Sequence, residues 1–328
     1  MRKQKSPRPR PRPKILYRVR NWSEYDKALV QRGSITLWIA DDIETNWHYT
    51  GEKQRGSQFE YSDQAITIML TVKNVFHLPN RATEGFVRSV FEMLKVSLSV
   101  PDHTTLSRRA KGLKVVLPKK ANDHIDIVMD STGLKVYGEG EWKMRTHGKS
   151  KRRTWRKLHI GADPASGEIE AVALTENSVS DAEMVEPMLR QIEQPIDRFA
   201  ADGIYDQRKV YDALNQQAPQ AKVLIPPRKN ARIWQHGNSK AERLKRDENL
   251  RAVRKLGRNT WKDNSGYHVR SLAETTMYRF KTIFGDRLSA RLLETQTTQV
   301  LICCAALNCM THLGMPDSYK VSNTGEVT

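Results

Sequence analysis

The sequence predicts an α/β protein in which a sheet of mixed strand direction follows an all-helical segment. Two observations support this. Apolar residues recur at helical spacing before residue 118, whereas after Asp123 short β-branched runs alternate with helical segments. The chain has 328 residues, which is long enough for a sizeable core and for two domains.

The first predicted units are a basic arm (1–20) and a helical domain (21–118). The Pro-Arg repeat of the arm is incompatible with a helix or a sheet interior, so the arm is a DNA contact or a solubilising tail. Helices are predicted over about 23–33, 62–76, 83–95 and 104–113. The last three are typical of a helix-turn-helix module or of a purely structural bundle. In the former case the third helix would recognise DNA through Thr105, Arg108 and Arg109.

The second domain is predicted over 123–315, before a C-terminal tail at 316–328. Three consecutive strands are predicted, followed by a helix, a strand, a helix and a last strand: 125–129, 154–160, 168–174, 181–192, 198–201, 207–217 and 222–225. Residues of about 227–264 hold twelve Lys or Arg and few aliphatic residues, which indicates a basic insertion. Helices resume over 266–284 and about 289–313.

The charge of the chain predicts a polyanionic partner. Lys and Arg number 55 against 37 Asp and Glu, and the formal net charge is +18. Two clusters, at 2–14 and 143–157, contain no acid. Such clusters favour nucleic acid, although a solvated charged face is the alternative. No apolar run approaches the ~18–20 residues of a membrane span and no export leader is found, so we expect a cytoplasmic protein without a membrane partner.

Three carboxylates stand out by their position. Asp130 is predicted at the end of the first strand of the sheet, Asp202 at the end of the fourth, and Glu274 on the helix after the insertion. The two strands are expected to be neighbours, and clustered carboxylates repel one another unless a cation joins them. Hard oxygen ligands suit two Mg²⁺ or Mn²⁺ ions, which support phosphoryl transfer. The alternative is that each is an ordinary surface acid.

The helix that carries Glu274 is predicted to have two different faces. At about 100° per residue, Arg270, Glu274 and Lys281 share one face with Tyr267. The apolar side is predicted to contain Leu272, Thr276, Phe280 and Ile283. One interpretation is that Arg270 and Lys281 hold a DNA backbone while Glu274 holds an ion. The other is ordinary surface pairing of charges along the helix.

These motifs resemble those of a known family. The spacing Tyr267-x2-Arg270-x3-Glu274-x6-Lys281, with Asp130 in DSTGLKVYGEGEW and Asp202 in ADGIYD, resembles the DDE transposases of bacterial insertion sequences, most closely the IS-five family. The resemblance covers about residues 60–315. It implies an RNase H-like catalytic domain, binding of terminal inverted repeats, cleavage of DNA by water, and attack of the freed 3′-OH on target DNA. A synaptic dimer or larger assembly, associated with the bacterial nucleoid, is expected with it.

Further candidates lie in the basic segments. Trp234 and Trp261 of the insertion are candidates for stacking on an unpaired base, or for a small core of the insertion. Arg152 and Arg153 are candidates for DNA phosphate binding beside the acids. Two other functions remain open: an RNase H-like nuclease such as a junction resolvase, and a non-catalytic DNA-binding regulator derived from a transposase.

Overall fold

The computed structural model describes residues 16–39, 43–52, 56, 58–136, 155–235 and 243–321. The elements before residue 120 are β1 (Leu16–Val19), α1 (Trp22–Gln31), α2 (Ile35–Trp38), α3 (Ile43–Asn46), α4 (Asp63–Val75), α5 (Asn80–Leu94) and α6 (His103–Arg109). Helix α4 begins where the Ser62 side chain accepts a hydrogen bond from the Ala65 N–H, and α6 begins where Asp102 caps two N–H groups. The predicted helices therefore exist. Their use as a helix-turn-helix module stays a prediction.

The second half of the chain contains the main sheet. Its elements are β2 (Ile125–Val136), β3 (Trp155–Ala162), β4 (Ile169–Glu176), α7 (Val185–Leu189), β5 (Ile196–Ala200), α8 (Arg208–Gln217), β6 (Lys222–Leu224), α9 (Lys245–Leu256), α10 (Arg258–Ser265), α11 (Ser271–Phe284), β7 (Arg287–Leu288), α12 (Leu293–Leu313) and β8 (Ser318–Val321). In the described part, the strands lie in the order β4-β3-β2-β5-β6, and β7 also pairs with β2. Strands β2, β3 and β4 are antiparallel, whereas β5 and β6 run parallel to β2. The predicted mixed sheet with flanking helices is confirmed.

The first strand of the sheet is longer than predicted. It was expected to end at Met129, yet it continues to Val136, so Asp130 lies in the middle of the strand and not at its end. The extension is stabilised by pairing: Asp130 lies opposite Ile160, and Lys135 lies opposite both Trp155 and Arg287. These partners are distant in the sequence. Leu134 and Val136 do alternate with polar residues, but the polar residues 130–133 separate them from the apolar run before Met129, so the sequence did not show one continuous strand.

Three other elements differ from the prediction. The helix expected over 181–192 is a 3₁₀ turn (Asp181–Glu183) followed by the short α7. The basic insertion contains two helices, α9 and α10, and the last long helix starts at Leu293 instead of about 289. Strands β1 and β8 pair antiparallel near the two ends of the chain, which no local pattern predicted.

Two hydrophobic clusters cover the two faces of the sheet. Strand β2 alternates between them: Ile127 and Met129 pack with Phe199 and helices α7 and α8, whereas Val128 and Leu134 face helices α11 and α12. The second of these cores also contains Leu106 of α6. The helical segment and the sheet thus share one core, and the predicted domain boundary near 118–123 stays a prediction. Among the described residues, no helix combines the length and apolarity needed to cross a membrane.

Candidate active site

Strand register brings Asp130 and Asp202 side by side. In the parallel pair β2–β5, Val128 lies opposite Ala200. Each acid comes two residues after one member of that pair, so both lie at the same edge of the sheet and on the same side. Asp202 follows the end of β5 and caps a 3₁₀ turn, where its Oδ1 accepts a hydrogen bond from the Ile204 N–H (2.8 Å). The expectation that the two strands are neighbours is confirmed.

The electrostatics at Asp130 favour a nearby cation. Its side chain is only 19% exposed, and burial raises the pKa of this carboxyl above its usual value. The negative charge of Asp202 raises this pKa further, whereas the Ser131 N–H, which donates to Asp130 Oδ1 (2.9 Å), and Arg270 lower it. Two carboxylates with this mutual repulsion are stabilised by any positive charge placed between or beside them.

Arg270 supplies such a charge within the chain. Its Nη1 donates to Asp130 Oδ2 at 2.9 Å, and its Nη2 donates to Glu274 Oε1. Glu274 lies in the first turn of α11 and its side chain is 57% exposed. The guanidinium therefore joins two of the three predicted acids. This differs from the sequence-based interpretation, in which Arg270 faced DNA phosphates and left Glu274 free for an ion.

The donor chemistry of the site suits a hard divalent cation, but the three acids do not converge. Asp130 and Asp202 present carboxylate oxygens from adjacent strands, as Mg²⁺ and Mn²⁺ prefer. Among the described residues, however, no group of three His, Cys, Asp or Glu side chains is arranged to hold a metal ion. Because Arg270 holds Glu274, the third carboxylate can join the other two only if this arginine releases it.

Lys281 and Tyr267 lie on the side of Arg270 and the acids, as predicted, but both are held by contacts within the protein. Lys281 Nζ donates a hydrogen bond to Thr132 Oγ1 (2.6 Å), which ties α11 to β2 two residues after Asp130. Tyr267 is only 7% exposed and packs on Trp261, so it is not presented to solvent. Leu272, predicted on the buried side, is 40% exposed. The buried side of α11 is formed by Ala273, Thr276, Met277, Phe280 and Phe284, and Leu272 lies beside it. Residues three apart in a 3₁₀ turn are eclipsed, so the turn keeps Tyr267 on the side of Arg270.

The tryptophans of the insertion pack within the protein. Trp261 is 4% exposed. Trp234 is partly buried, with the guanidinium groups of Arg246 and Arg208 at 4.2 and 4.9 Å from its ring centroid. Arg246 is itself buried between the carboxylates of Asp206 and Asp247, at 3.1 and 3.2 Å. Neither tryptophan is a free stacking surface, and the two do not form a common core of the insertion. Trp261 packs on Tyr267 in the cluster that contains α11 and α12, whereas Trp234 packs on Tyr211 of α8 in the other cluster.

The residues predicted to recognise DNA ends on α6 divide into two kinds. Arg109 forms an ion pair with Asp63 and lies 3.9 Å from the centroid of the Phe59 ring, so it holds α6 against the start of α4. The Thr105 hydroxyl donates to the capping carboxylate of Asp102. Arg108 is exposed and makes no ion pair among the described residues. Arg152 and Arg153 lie outside the described residues.

Two residues near the acids escaped the sequence analysis. The Thr132 hydroxyl accepts a hydrogen bond from Lys281 and so positions this lysine. Thr132 could have been found from the sequence, because it lies two residues after Asp130 and side chains two apart in a strand point to the same side. Tyr205 is buried three residues after Asp202, at the end of the 3₁₀ turn that Asp202 caps. Its hydroxyl has no hydrogen-bond partner among the described residues. Burial raises the pKa of Tyr205, and the nearby carboxylates of Asp181, Asp130 and Asp202 raise it further. Tyr205 is therefore a neutral phenol beside the acids.

Comparisons with known proteins agree with the motifs. Residues 121–309 match a family described as Transposase DDE domain, and residues 30–139 match a second family with the same description. A solved structure of the piggyBac transposase synaptic complex with hairpin DNA is similar at 11% identity and a TM-score of 0.34, over 87% of this chain and 76% of that one. The first match spans more than half of the chain and includes Asp130, Asp202 and Glu274. The chain therefore belongs to the DDE transposase family.

Proposed function

We propose that this protein is an active DNA transposase that cleaves DNA at the terminal inverted repeats of its own element and joins the freed 3′-OH ends to target DNA. The observation that carries the proposal is the pairing of Asp130 and Asp202 on adjacent strands, with Glu274 attached through Arg270. The two acids repel each other, and this arrangement suits phosphoryl transfer assisted by cations.

The residues have distinct proposed roles. Asp130, Asp202 and Glu274 are the residues that would hold divalent cations, and Glu274 would be available for this once Arg270 contacts DNA instead. When bound, Mg²⁺ or Mn²⁺ supplies positive charge that lowers the pKa of water and offsets charge on the leaving oxygen. Arg270 can grip a backbone phosphate through two N–H groups, and Lys281 adds a point charge beside Thr132. Arg108 faces solvent and is the residue of α6 best placed to contact the DNA ends.

The finer identity is part of the same proposal. The complete spacing from Tyr267 to Lys281 supports an assignment to the bacterial insertion sequences of the IS-five family. A transposase must bring two DNA ends together, so a dimer or larger assembly at the nucleoid in the cytoplasm is proposed with it. The net charge of +18 supports an interaction with the phosphates of both ends and of the target.

Replacement of Asp202 by Asn tests the catalytic assignment. Asn caps a helical turn as well as Asp does, so Asp202→Asn preserves the hydrogen bond to Ile204 and removes only the charge. Cleavage of a duplex that carries the inverted repeats bordering the gene should fall by about 100-fold or more, because a metal ligand is lost, while binding is retained. Asp212→Asn is the matched control, since Asp212 is exposed and lies on α8, which packs on the face of the sheet opposite to α11, the helix of Glu274.

Each outcome of this assay has a defined meaning. Cleavage at the wild-type rate by Asp202→Asn would remove that residue from the site. Binding of the repeats by the wild-type protein without cleavage in Mg²⁺ or Mn²⁺ would indicate a non-catalytic regulator. Cleavage of branched junctions in preference to the repeats would indicate a resolvase.

A further inference from the structure

A wide cleft separates the helical segment from the C-terminal part of the chain. Its volume is about 1020 Å³. One wall is formed by the end of α4, the loop that follows it and the end of α6; the other wall is formed by the residues from β7 to the first turns of α12. The floor is apolar and includes Leu70, Leu106 and Phe284. We call this feature the basic cleft, after the residues of its walls.

The lining of the basic cleft is positively charged from both sides. The side chains with basic groups are Lys73, His77, Arg108, Lys111, Arg287 and Arg291, and no Asp or Glu lines the cleft. Lys111 Nζ lies 3.3 Å from a Glu294 carboxylate oxygen on the exposed rim. Such a concentration of one sign of charge between low-dielectric walls attracts anions strongly.

Lys73 gives an independent sign of an anionic ligand. Its side chain is half-buried on the last turns of α4, and burial lowers the pKa of its ammonium group. Among the described residues, no carboxylate forms an ion pair with Lys73. A half-buried cation without a counter-charge is less stable than one in water, so structural stability alone would favour an apolar residue here. A phosphate in the cleft would supply the missing charge.

The position of the cleft relative to the acids favours DNA over a small anion. Phe284 ends α11 and lines the cleft, and it lies ten residues after Glu274, which is about 15 Å along the helix at 1.5 Å per residue. Arg287 belongs to β7, which pairs with the end of β2, the strand that carries Asp130. The edge of the cleft thus lies about 15 Å from Glu274, a distance that about four to five base pairs of a duplex span at about 3.4 Å each.

We propose that the basic cleft binds the phosphate backbone of DNA beside the cleavage site, with Lys73 and Arg291 as contacts from its two walls. The proposal rests on the proposed function, because it assumes that DNA is the substrate of the acids. It assigns the cleft a role that differs from end recognition: the contacts are electrostatic and independent of base sequence.

Two substitutions test the cleft by salt dependence. The binding constant of the full chain for a fluorescein-labelled 30-base-pair duplex of random sequence is measured over a range of KCl concentrations. Arg291→Gln and Lys73→Met should each lower the slope of log K against log salt by about 1, because each removes one phosphate contact. Arg190→Gln, which removes an exposed positive charge next to α7 on the opposite face of the sheet, should leave the slope unchanged.

Lys73→Met separates a ligand site from a structural residue. It retains the apolar stem and removes the desolvated charge, so the thermal unfolding temperature should stay the same or rise while DNA binding weakens. Unchanged slopes for both variants in a protein that still binds and cuts DNA would overturn the cleft and leave the proposed function standing. A wild-type protein that binds no duplex at low salt would overturn both. Saturable AMP binding that Lys73→Met abolishes, with unchanged DNA slopes, would make the cleft a nucleotide pocket instead.

Discussion

Arg270 provides the positive charge that stabilises two carboxylates of the candidate site. Its guanidinium contacts both Asp130 and Glu274, which lie 140 and four residues away in the sequence. Without it, Asp130 would be a mostly buried carboxylate beside Asp202 with only the Ser131 N–H to stabilise its charge. The same fork geometry that joins two carboxylates also suits a phosphate, so this residue can alternate between the acids and a DNA backbone.

His159 makes the stability of the fold depend on pH. It lies fully buried in β3, one of its ring nitrogens contacts Thr175 Oγ1 at 2.9 Å, and the other has no hydrogen-bond partner among the described residues. Burial lowers the pKa of His159 to about 4, although Asp181 opposes this shift and Lys157 adds to it. Unfolding restores an ordinary value near 6.5. The unfolded chain therefore binds more protons between pH 6.5 and 4, and this contribution to stability is lost as pH falls through that range.

We expect His159→Gln to weaken this pH dependence. The free energy of unfolding of the wild-type protein should fall by an additional amount, on the order of 2–3 kcal/mol, between pH 7 and pH 4 because of this one group. Urea unfolding at several pH values measures the free energy of unfolding. For each protein the value at pH 4 is subtracted from the value at pH 7, because Gln also changes the absolute stability and only this difference reports the titration. His268→Gln, at an exposed position, should keep the wild-type profile. An equal pH dependence in His159→Gln and wild type would contradict the assignment.

At the level of elements, a buried ion triad attaches the basic insertion to the main sheet. Arg246 at the start of α9 lies between Asp206, which follows the loop of Asp202, and Asp247, whose carboxylate also accepts the N–H groups of Trp234 and Gln235. The insertion is hydrophilic and has few aliphatic residues to bury. Hydrogen-bonded charges therefore replace much of the hydrophobic contact that would normally fix such a segment.

Arg246→Met should release the insertion. The substitution leaves two buried carboxylates without their partner, which typically costs about 3–5 kcal/mol. We expect a large loss of thermal stability, together with faster proteolysis between residues 227 and 264 than elsewhere. Arg251→Met, at an exposed position of the same helix, should have little effect on either measurement. If Arg246→Met melted like the wild type, the triad would not be what holds the insertion.

For the whole molecule, the helical segment and the sheet form one packing unit. Leu106 of α6 is fully buried in the same hydrophobic cluster as Leu158 of β3 and Cys304 of α12. Asn308 of α12 adds hydrogen bonds across this region. Its side-chain oxygen accepts from the Ile169 N–H in β4, and its Nδ2 donates to the carbonyl oxygens of Ile169 and Pro118. The two parts should therefore unfold together and not as separate domains.

Leu106→Ala tests this coupling. Truncation of a fully buried leucine costs about 2–5 kcal/mol. If the core is shared, Leu106→Ala should lower the midpoint temperature of a single unfolding transition. Far-ultraviolet circular dichroism and tryptophan fluorescence should then give the same midpoint. Two separate transitions, of which only one shifts, would show that the helical segment folds on its own. Val116→Ala is the control, because Val116 is exposed and its truncation should cost little.

Local patterns were sufficient for most elements and for the identity of the candidate site. Helical spacing and cap residues predicted α4, α5 and α6 to within a few residues of their ends, and β-branched runs predicted β3, β5 and β6. The motifs around Asp130, Asp202 and Glu274 indicated the family, which the match over residues 121–309 shows. These features could be predicted because propensity, capping and spacing act over a few neighbouring residues.

Only the tertiary structure decided what those residues contact. The extension of β2 to Val136, the pairing of β1 with β8, and the contact between Arg270 and Asp130 all join segments far apart in the sequence. The burial of Tyr267 depends on its packing against Trp261, and the half-burial of Lys73 depends on the cleft that α4 forms with α12 and the segment before it. Each outcome is set by which surfaces exclude water from one another once the chain has folded. A pattern of residue types along the chain carries no information about such pairs, because burial and charge pairing are properties of distance in space.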